Sequence, residues 1–272
     1  MKIKKVKATS VFALIFVMVV LLMAVAPSLF SKYDPLAIDP VNRLLGPCAG
    51  HWLGTDEYGR DIWCRLVYGA RPSIEVGFGS AFLAMMIGVP LGLIAGYFGG
   101  IVDNAIMRVM DAFLSFPSVL LAILLITIFD PSVITLILTI TIVSFPAYGR
   151  IVRSSVLSLK ERDFTEAAKA SGATPAYIMF RTILPNCASG IIVQFSLFAA
   201  SAILIEAGMS FLGLGIQPPA PAWGSMLSYA KSYLDKSMTY ILAPTIIIFL
   251  TVLSINLLGD AMREWLDPTR MK

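Results

Sequence analysis

The stretch Val11–Phe30 reads VFALIFVMVVLLMAVAPSLF, and all of its residues are apolar except Pro27 and Ser28. A helix of about 20 apolar residues crosses the hydrocarbon core of a bilayer, which is about 30 Å thick. The lysines that precede it and the small residues Ala24–Ala26 also fit a signal peptide with its cleavage site. The length of the apolar run, and Pro27 directly after that site, favour a retained membrane anchor.

The composition of the whole chain agrees with a membrane protein. Of 272 residues, 57% are apolar and only 14% are charged, whereas soluble domains average about 25% charged residues. Disorder is excluded by this hydrophobicity. The net charge of +4 is explained by basic residues at the cytoplasmic ends of spans, so nucleic-acid binding is not expected.

Six stretches are long and apolar enough to be spans, and the chain is therefore predicted to be an all-α integral membrane protein. Lys2 to Lys7 place the N-terminus in the cytoplasm by the positive-inside rule, and six crossings return the C-terminus to the same side. The predicted spans are Val11–Phe30, Val76–Phe98, Ala112–Phe129, Ser132–Gly149, Ala188–Ala207 and Tyr240–Leu258.

Small residues and prolines mark how the spans pack. Gly88, Gly92 and Gly96 recur at every fourth position, which lets a neighbouring helix approach closely. Pro117 and Pro146 lie inside apolar runs and are expected to kink their helices.

The polar loop 150–187 carries the signals of two short helices. Asp163 and Glu166 fit an N-cap and its capping-box partner, and Gly172 fits a left-handed helix stop. Thr174 and Pro175 fit the start of a second helix, which Pro185 is expected to separate from the fifth span. A two-turn helix is unstable alone, so the first one is expected to dock on something.

The loop resembles the EAA loop of permease subunits in binding-protein-dependent ABC importers. The resemblance rests on Glu166-Ala167-Ala168, Gly172 and Leu184-Pro185, although Thr182 stands where the family usually has isoleucine. It implies that this loop couples the spans to a cytoplasmic ATPase. The coupling residues are then Asp163, Glu166, Ala167, Ala168, Gly172, Ala173, Leu184 and Pro185.

Further motifs in the same order are similar to the C-type permeases for dipeptides, oligopeptides or nickel. They include His51–Asp61, Ser210–Gly215, Gln217–Pro219 and Asn256–Asp260. The resemblance implies a five-helix MetI-like core preceded by an anchor helix. The domains are then an anchor at 1–30, an outer loop at 31–75 and a permease domain at 76–272.

The same resemblance implies the partners of the chain: a homologous second permease, two ABC ATPase subunits and an extracytoplasmic solute-binding protein. The chain itself has no G-x-x-x-x-G-K-[ST] motif, so ATP and Mg²⁺ are expected on the ATPase subunits and no cofactor on this chain. With His51 as the only histidine, neither a multi-histidine metal site nor an enzyme is expected. The predicted location is the cytoplasmic (inner) membrane.

The outer half offers candidates for a translocation path. Glu206, Ser210 and Phe211 are possible path or gate residues, because a carboxylate inside a span is costly and often functional. A purely structural hydrogen-bonding role for Glu206 is equally open. Leu53–Arg71 is expected to lie along the outer membrane interface, which would explain its arginines.

Several alternatives stay open at this point. An ion-coupled secondary transporter or channel would also explain the spans and Glu206. Short peptides and nickel, free or chelated, are both open as substrates. The sequence does not fix whether Cys48 and Cys64 pair.

Overall fold

A computed structural model describes residues 7–266, and in this range the chain is helical, with one isolated β-bridge between Thr55 and Asp61. The helices are α1 (Ala8–Val25), α2 (Ile62–Phe98), α3 (Gly100–Leu114), α4 (Ser118–Ile128), α5 (Val133–Lys160), α6 (Asp163–Ala170), α7 (Pro175–Tyr177), α8 (Leu184–Phe211), α9 (Trp223–Ala230) and α10 (Met238–Leu266). A π-helical segment, Ile178–Ile183, joins α7 to α8.

Five helices are long and apolar enough to cross a membrane: α1, α2, α5, α10 and the continuous run from α7 through α8. The pair α3 and α4 supplies a sixth crossing if it is counted as one broken span. The predicted all-α fold with an N-terminal anchor is confirmed. The boundaries 1–30, 31–75 and 76–272 stay predictions as a domain division.

The second span begins at Ile62, fourteen residues before the predicted Val76. Asp61 starts the helix, because its carboxylate accepts a hydrogen bond from the backbone N–H of Cys64 at 2.6 Å. Ile62, Val67 and Ala70 are fully buried in a cluster with residues of α1, α9 and α10. The expectation that Leu53–Arg71 lies along the membrane interface is therefore wrong from Ile62 onward.

The predicted third span, Ala112–Phe129, is divided into two helices. α3 ends at Leu114, α4 begins after Pro117, and the two are bent by 85°. A proline cannot continue the backbone hydrogen bonding of α3, so the predicted kink is a full break. α4 alone is about 17 Å long at 1.5 Å per residue, which is too short to cross a bilayer.

Two ion pairs hold α3 across the end of α5. Asp103 pairs with Arg153, and Asp111 pairs with Arg150. Asp103 lies in the first turn of α3 and Asp111 in its last turn, and both arginines lie in the C-terminal half of α5. They therefore fix the direction in which the broken span leaves the bundle.

The glycine stripe on α2 packs directly against α5, as predicted. A methyl group on Gly92 would collide with the carbonyl oxygen of Gly149, and one on Gly88 would collide with the backbone of Phe145. A methyl group on Gly96 would meet Val156 at 2.8 Å. Backbones this close require glycine, since any side chain would push the helices apart.

Candidate functional site: the coupling loop and the outer cluster

The predicted coupling loop begins with α6, which follows α5 after a two-residue turn. Thr165 is fully buried, and its hydroxyl donates to the carbonyl of Leu159 at 2.8 Å, tying α6 to the end of α5. Asp163 was predicted as the N-cap but is the first helical residue; the N-cap position is Arg162, with no side-chain cap. Asp163 is not needed as a cap, because Thr165 already ties this turn to α5. Asp163 and Glu166 lie instead in the first turn of α6, where their negative charge interacts favourably with the helix dipole.

The end of α6 is a Schellman motif, as Gly172 predicted. The N–H of Ala173 donates to the carbonyl of Ala168 at 3.1 Å, and that of Gly172 to the carbonyl of Lys169 at 3.0 Å. Gly172 has a φ of +77°, and a methyl group there would meet nothing within 4 Å. Its requirement for glycine is therefore conformational rather than steric.

The second short helix begins where it was predicted but does not end where it was predicted. The hydroxyl of Thr174 accepts a hydrogen bond from the N–H of Tyr177 at 3.3 Å, and Pro175 occupies the first turn. Pro185 does not interrupt the chain, because the run from Pro175 to Phe211 is continuous. A π-helical turn at Ile178–Ile183 directly precedes the part of the helix that contains Pro185.

One side of α6 packs on the bundle and the other is free. Ala168 and Ala173 are half-buried against a cluster that contains Val156, Ile178 and Ile183. Glu166 and Ala167 are exposed. The loop thus presents a short, firmly held helix at the end of the bundle, with Leu184 half-buried and Pro185 exposed behind it.

Glu206 is enclosed in the bundle near the end of α8. Its carboxylate is fully buried and accepts hydrogen bonds from the hydroxyl of Ser73 on α2 at 2.9 Å and of Ser210 at 2.8 Å. The hydroxyl of Ser210 also accepts a hydrogen bond from the backbone N–H of Ile216 at 3.3 Å. The ammonium of Lys231 lies over the ring of Phe211, 5.0 Å from the ring centre. In this conformation Glu206 joins α2 to α8; a role of these residues in a path stays a prediction.

A cluster of buried charges, which was not predicted from the sequence, lies beside the start of α2. Asp56 is fully buried, and its carboxylate accepts the Nε of Arg60 at 2.6 Å and pairs with the Nε of Arg65 at 3.5 Å. Glu57 accepts the hydroxyl of Tyr240 on α10 at 2.6 Å. The Asp56–Arg60 spacing was a usable signal. This cluster, called the outer cluster below, gives ion-pair partners to Arg60 and Arg65, two of the arginines in the predicted outer loop.

Part of the loop after α8 is buried. It contains α9, whose Trp223 is fully buried and donates from Nε1 to the carbonyl of Leu66 at 2.9 Å. Arg65 donates from Nη1 to the carbonyl of Pro35 at 2.9 Å.

Cys48 is exposed, Cys64 is buried, and both are free thiols, so they do not pair.

A family model for the inner membrane component of binding-protein-dependent transport systems matches residues 88–272. That range covers the glycine stripe, the coupling loop and the last two spans. This chain belongs to that family. The permease is accordingly a subunit of an ABC importer, and the alternative of an ion-coupled transporter or channel is not supported.

Curated relatives resemble nearly the whole permease. It is 45% identical over 95% of its length to a dipeptide transport system permease protein DppC of Alkalihalophilus pseudofirmus, covering 85% of that protein. It is 42% identical to a glutathione transport system permease protein GsiD of Pectobacterium atrosepticum, over 95% of this chain and 86% of that one.

The fold is also found in a solved structure. A chain of the MetNI methionine ABC transporter, crystallised in inward facing conformations, superposes with a TM-score of 0.62 over 74% of the permease and 96% of that chain. The two are 22% identical, so the likeness concerns the fold. It confirms the expected MetI-like core.

Proposed function

We propose that this permease carries short peptides inward across the cytoplasmic membrane as one half of a pair of homologous permeases. Two ABC ATPase subunits, which bind ATP and Mg²⁺, and an extracytoplasmic solute-binding protein complete the importer. The observation that carries the proposal is the held but exposed helix α6, in a chain 45% identical to a dipeptide permease.

Peptides are the substrate class that the relatives support best. Their names specify dipeptides, di/tripeptides and glutathione, which is itself a tripeptide. Nickel, free or chelated, stays an untested alternative for the importer. Selection is assigned to the binding protein, which would deliver the solute to the outer side.

The coupling role of α6 follows from how it is held. Thr165 ties its first turn to α5, while Ala168 and the following Schellman turn pack on the π segment Ile178–Ile183, which continues into α8. A force applied to α6 therefore reaches both long helices. Glu166 and Ala167 face away from the bundle, where a cleft of an ATPase subunit could receive them.

The transport cycle is alternating access. ATP would close the ATPase pair, and α6 would move with it, so that α5 and α8 close the inner side and the bundle opens outward. Hydrolysis resets the spans. Both termini of the chain lie in the cytoplasm in this orientation, on the same side as α6.

The test is a charge reversal on α6 in the complete importer. Glu166→Lys is expected to abolish ATP-dependent uptake of dialanine and to weaken co-purification of the ATPase, while the permease still inserts. Glu161→Lys is the matched control, because Glu161 is also exposed but precedes α6. Normal uptake by Glu166→Lys would overturn the coupling role; uptake driven by an ion gradient without ATP would overturn the importer itself.

A further inference from the structure

The segment that joins α3 to α4 interrupts the helical backbone within an apolar part of the chain. α3 ends at Leu114, α4 begins at Ser118, and the two helices are bent by 85°. Every residue from Leu114 to Leu120 is exposed. This segment, residues 114–120, is called the break below.

The break leaves backbone groups without hydrogen-bond partners. Within residues 7–266, nothing accepts a hydrogen bond from the N–H groups of residues 118–120, and no side chain caps α4. Nothing in the same range donates to the carbonyl oxygens of residues 114–116. In the described part of the chain, the break therefore carries three free donors and three free acceptors.

The break lies at the depth of the hydrocarbon core. Just before it, the ring of Phe113 contacts the ring of Phe145 on α5, with 5.4 Å between the ring centroids. α5 carries no charge before Arg150, and Phe145 precedes Arg150 by about 8 Å at 1.5 Å per residue. On the other side of the break, the 11 residues of α4 extend for about 17 Å before the chain reaches Asp130. The break is thus separated from the flanking charges on both sides.

Lipid cannot cover the break. Hydrocarbon chains form no hydrogen bonds, so irregular backbone at this depth occurs only where protein buries it or water reaches it. Water alone is a poor neighbour for the side chains, because Phe116, Leu120 and Leu124 are each more than half exposed. A surface that combines exposed apolar side chains with free backbone donors and acceptors fits another membrane-embedded protein.

We propose that the break faces the second permease of the importer and is covered by it. The inference rests on the proposed function, which supplies a homologous membrane partner, and it adds the face through which the two chains meet. A homologous chain related by a twofold axis would present a break of its own, whose donors and acceptors complement those of this chain. The ATPase subunits and the binding protein lie outside the hydrocarbon core and do not reach this depth.

The exposed side of α10 provides a contrast, because lipid can cover it. Ile246, Phe249 and Leu253 are exposed within the continuous helix Met238–Leu266. Helical backbone satisfies its own hydrogen bonds, so apolar side chains on it meet lipid without cost. Phe249 is 61% exposed and Phe116 is 57% exposed, which makes the two phenylalanines a matched pair.

The test is photo-crosslinking in the complete importer, reconstituted in phospholipid vesicles. The photoreactive residue p-benzoylphenylalanine replaces Phe116 in one preparation and Phe249 in the other, and the irradiated products are identified by mass. At position 116 we expect a product with the second permease, several-fold more abundant than at position 249, where phospholipid adducts should predominate. Leu120 serves as the second position in the break if the variant at Phe116 does not assemble.

Two results would overturn the interface and leave the proposed function intact. One is a second permease that co-purifies but crosslinks equally at both positions, or a break that yields only phospholipid adducts. The other is rapid reaction of Ser118→Cys, in a Cys48→Ser background, with a membrane-impermeant maleimide, which would assign the break to a water-filled space. If the chain assembles instead with a second copy of itself, the proposed pair of different permeases fails, and a crosslinked product of twice the mass of this chain decides whether the break is the contact face.

Discussion

The buried charges of the outer cluster are stable only because each has a partner. Asp56, Arg60 and Arg65 are all at most 6% exposed, and removal of one member would leave an uncompensated charge. Glu57 is satisfied across the fold, by the hydroxyl of Tyr240 on α10. These contacts connect the outer loop to both α2 and α10, which are distant in the sequence.

Tyr240→Phe is expected to destabilise the permease by about 1–3 kcal/mol, because Oε2 of the buried Glu57 carboxylate loses its donor and only the longer bond from Arg60 to Oε1, at 3.4 Å, is left. The measurement is the thermal unfolding midpoint in detergent, which should fall by several degrees. Tyr229→Phe is the control, since Tyr229 packs at the edge of the same apolar cluster without such a bond. Equal midpoints for the two variants would contradict this account of the outer cluster.

At the level of helices, contact between the backbones of α2 and α5 organises the bundle. Gly88, Gly92 and Gly96 lie along one face of α2, and Gly149 of α5 completes the contact. The same two helices carry Ser73 on α2, which binds Glu206, and the end of α5, to which α6 is tied through Thr165. Their close approach therefore fixes the outer and the inner parts of the site together.

Gly92→Ala is expected to destabilise the bundle, although alanine favours helix by about 1 kcal/mol over glycine. The added methyl group would collide with the carbonyl of Gly149, and overpacking of this kind costs about 1–3 kcal/mol. Unfolding in detergent measures the change.

Gly208→Ala is the matched control, since Gly208 lies within α8 with open space around its Cα. It should be neutral or stabilising. A stabilised Gly92→Ala variant would show that the two backbones are not in contact.

Across the whole molecule, the two ends of the described chain meet. The ammonium of Lys7 lies 2.8 Å from the carboxylate of Glu264, so the start of α1 and the end of α10 share one side. The pair is largely exposed and contributes little stability. It bears on the topology, because two ends on one side need an even number of crossings between residues 7 and 264. The chain has an even number if α3 and α4 together form one broken span.

Single cysteines should report this topology. In a Cys48→Ser background, Lys7→Cys and Trp265→Cys are expected to react with an impermeant maleimide in inverted vesicles but not in spheroplasts. Val41→Cys, which is 90% exposed in the opposite loop, should show the reverse pattern. If Lys7→Cys and Trp265→Cys labelled from opposite sides, the broken pair would be a re-entrant loop and the crossing number would be odd.

The sequence determined the features that depend on neighbouring residues. Four features could be predicted from the sequence, because hydrophobic length and backbone conformation are local properties. They are the apolar runs, the helix stop at Gly172, the cap at Thr174 and the glycine stripe. Only the tertiary structure decided where α2 begins, that α3 breaks from α4, and that the chain continues through Pro185. It also brought Glu57 to Tyr240 and Glu206 to Ser73. Such pairs join residues far apart in the sequence, and burial, which no local pattern reveals, determines whether a charge must find a partner.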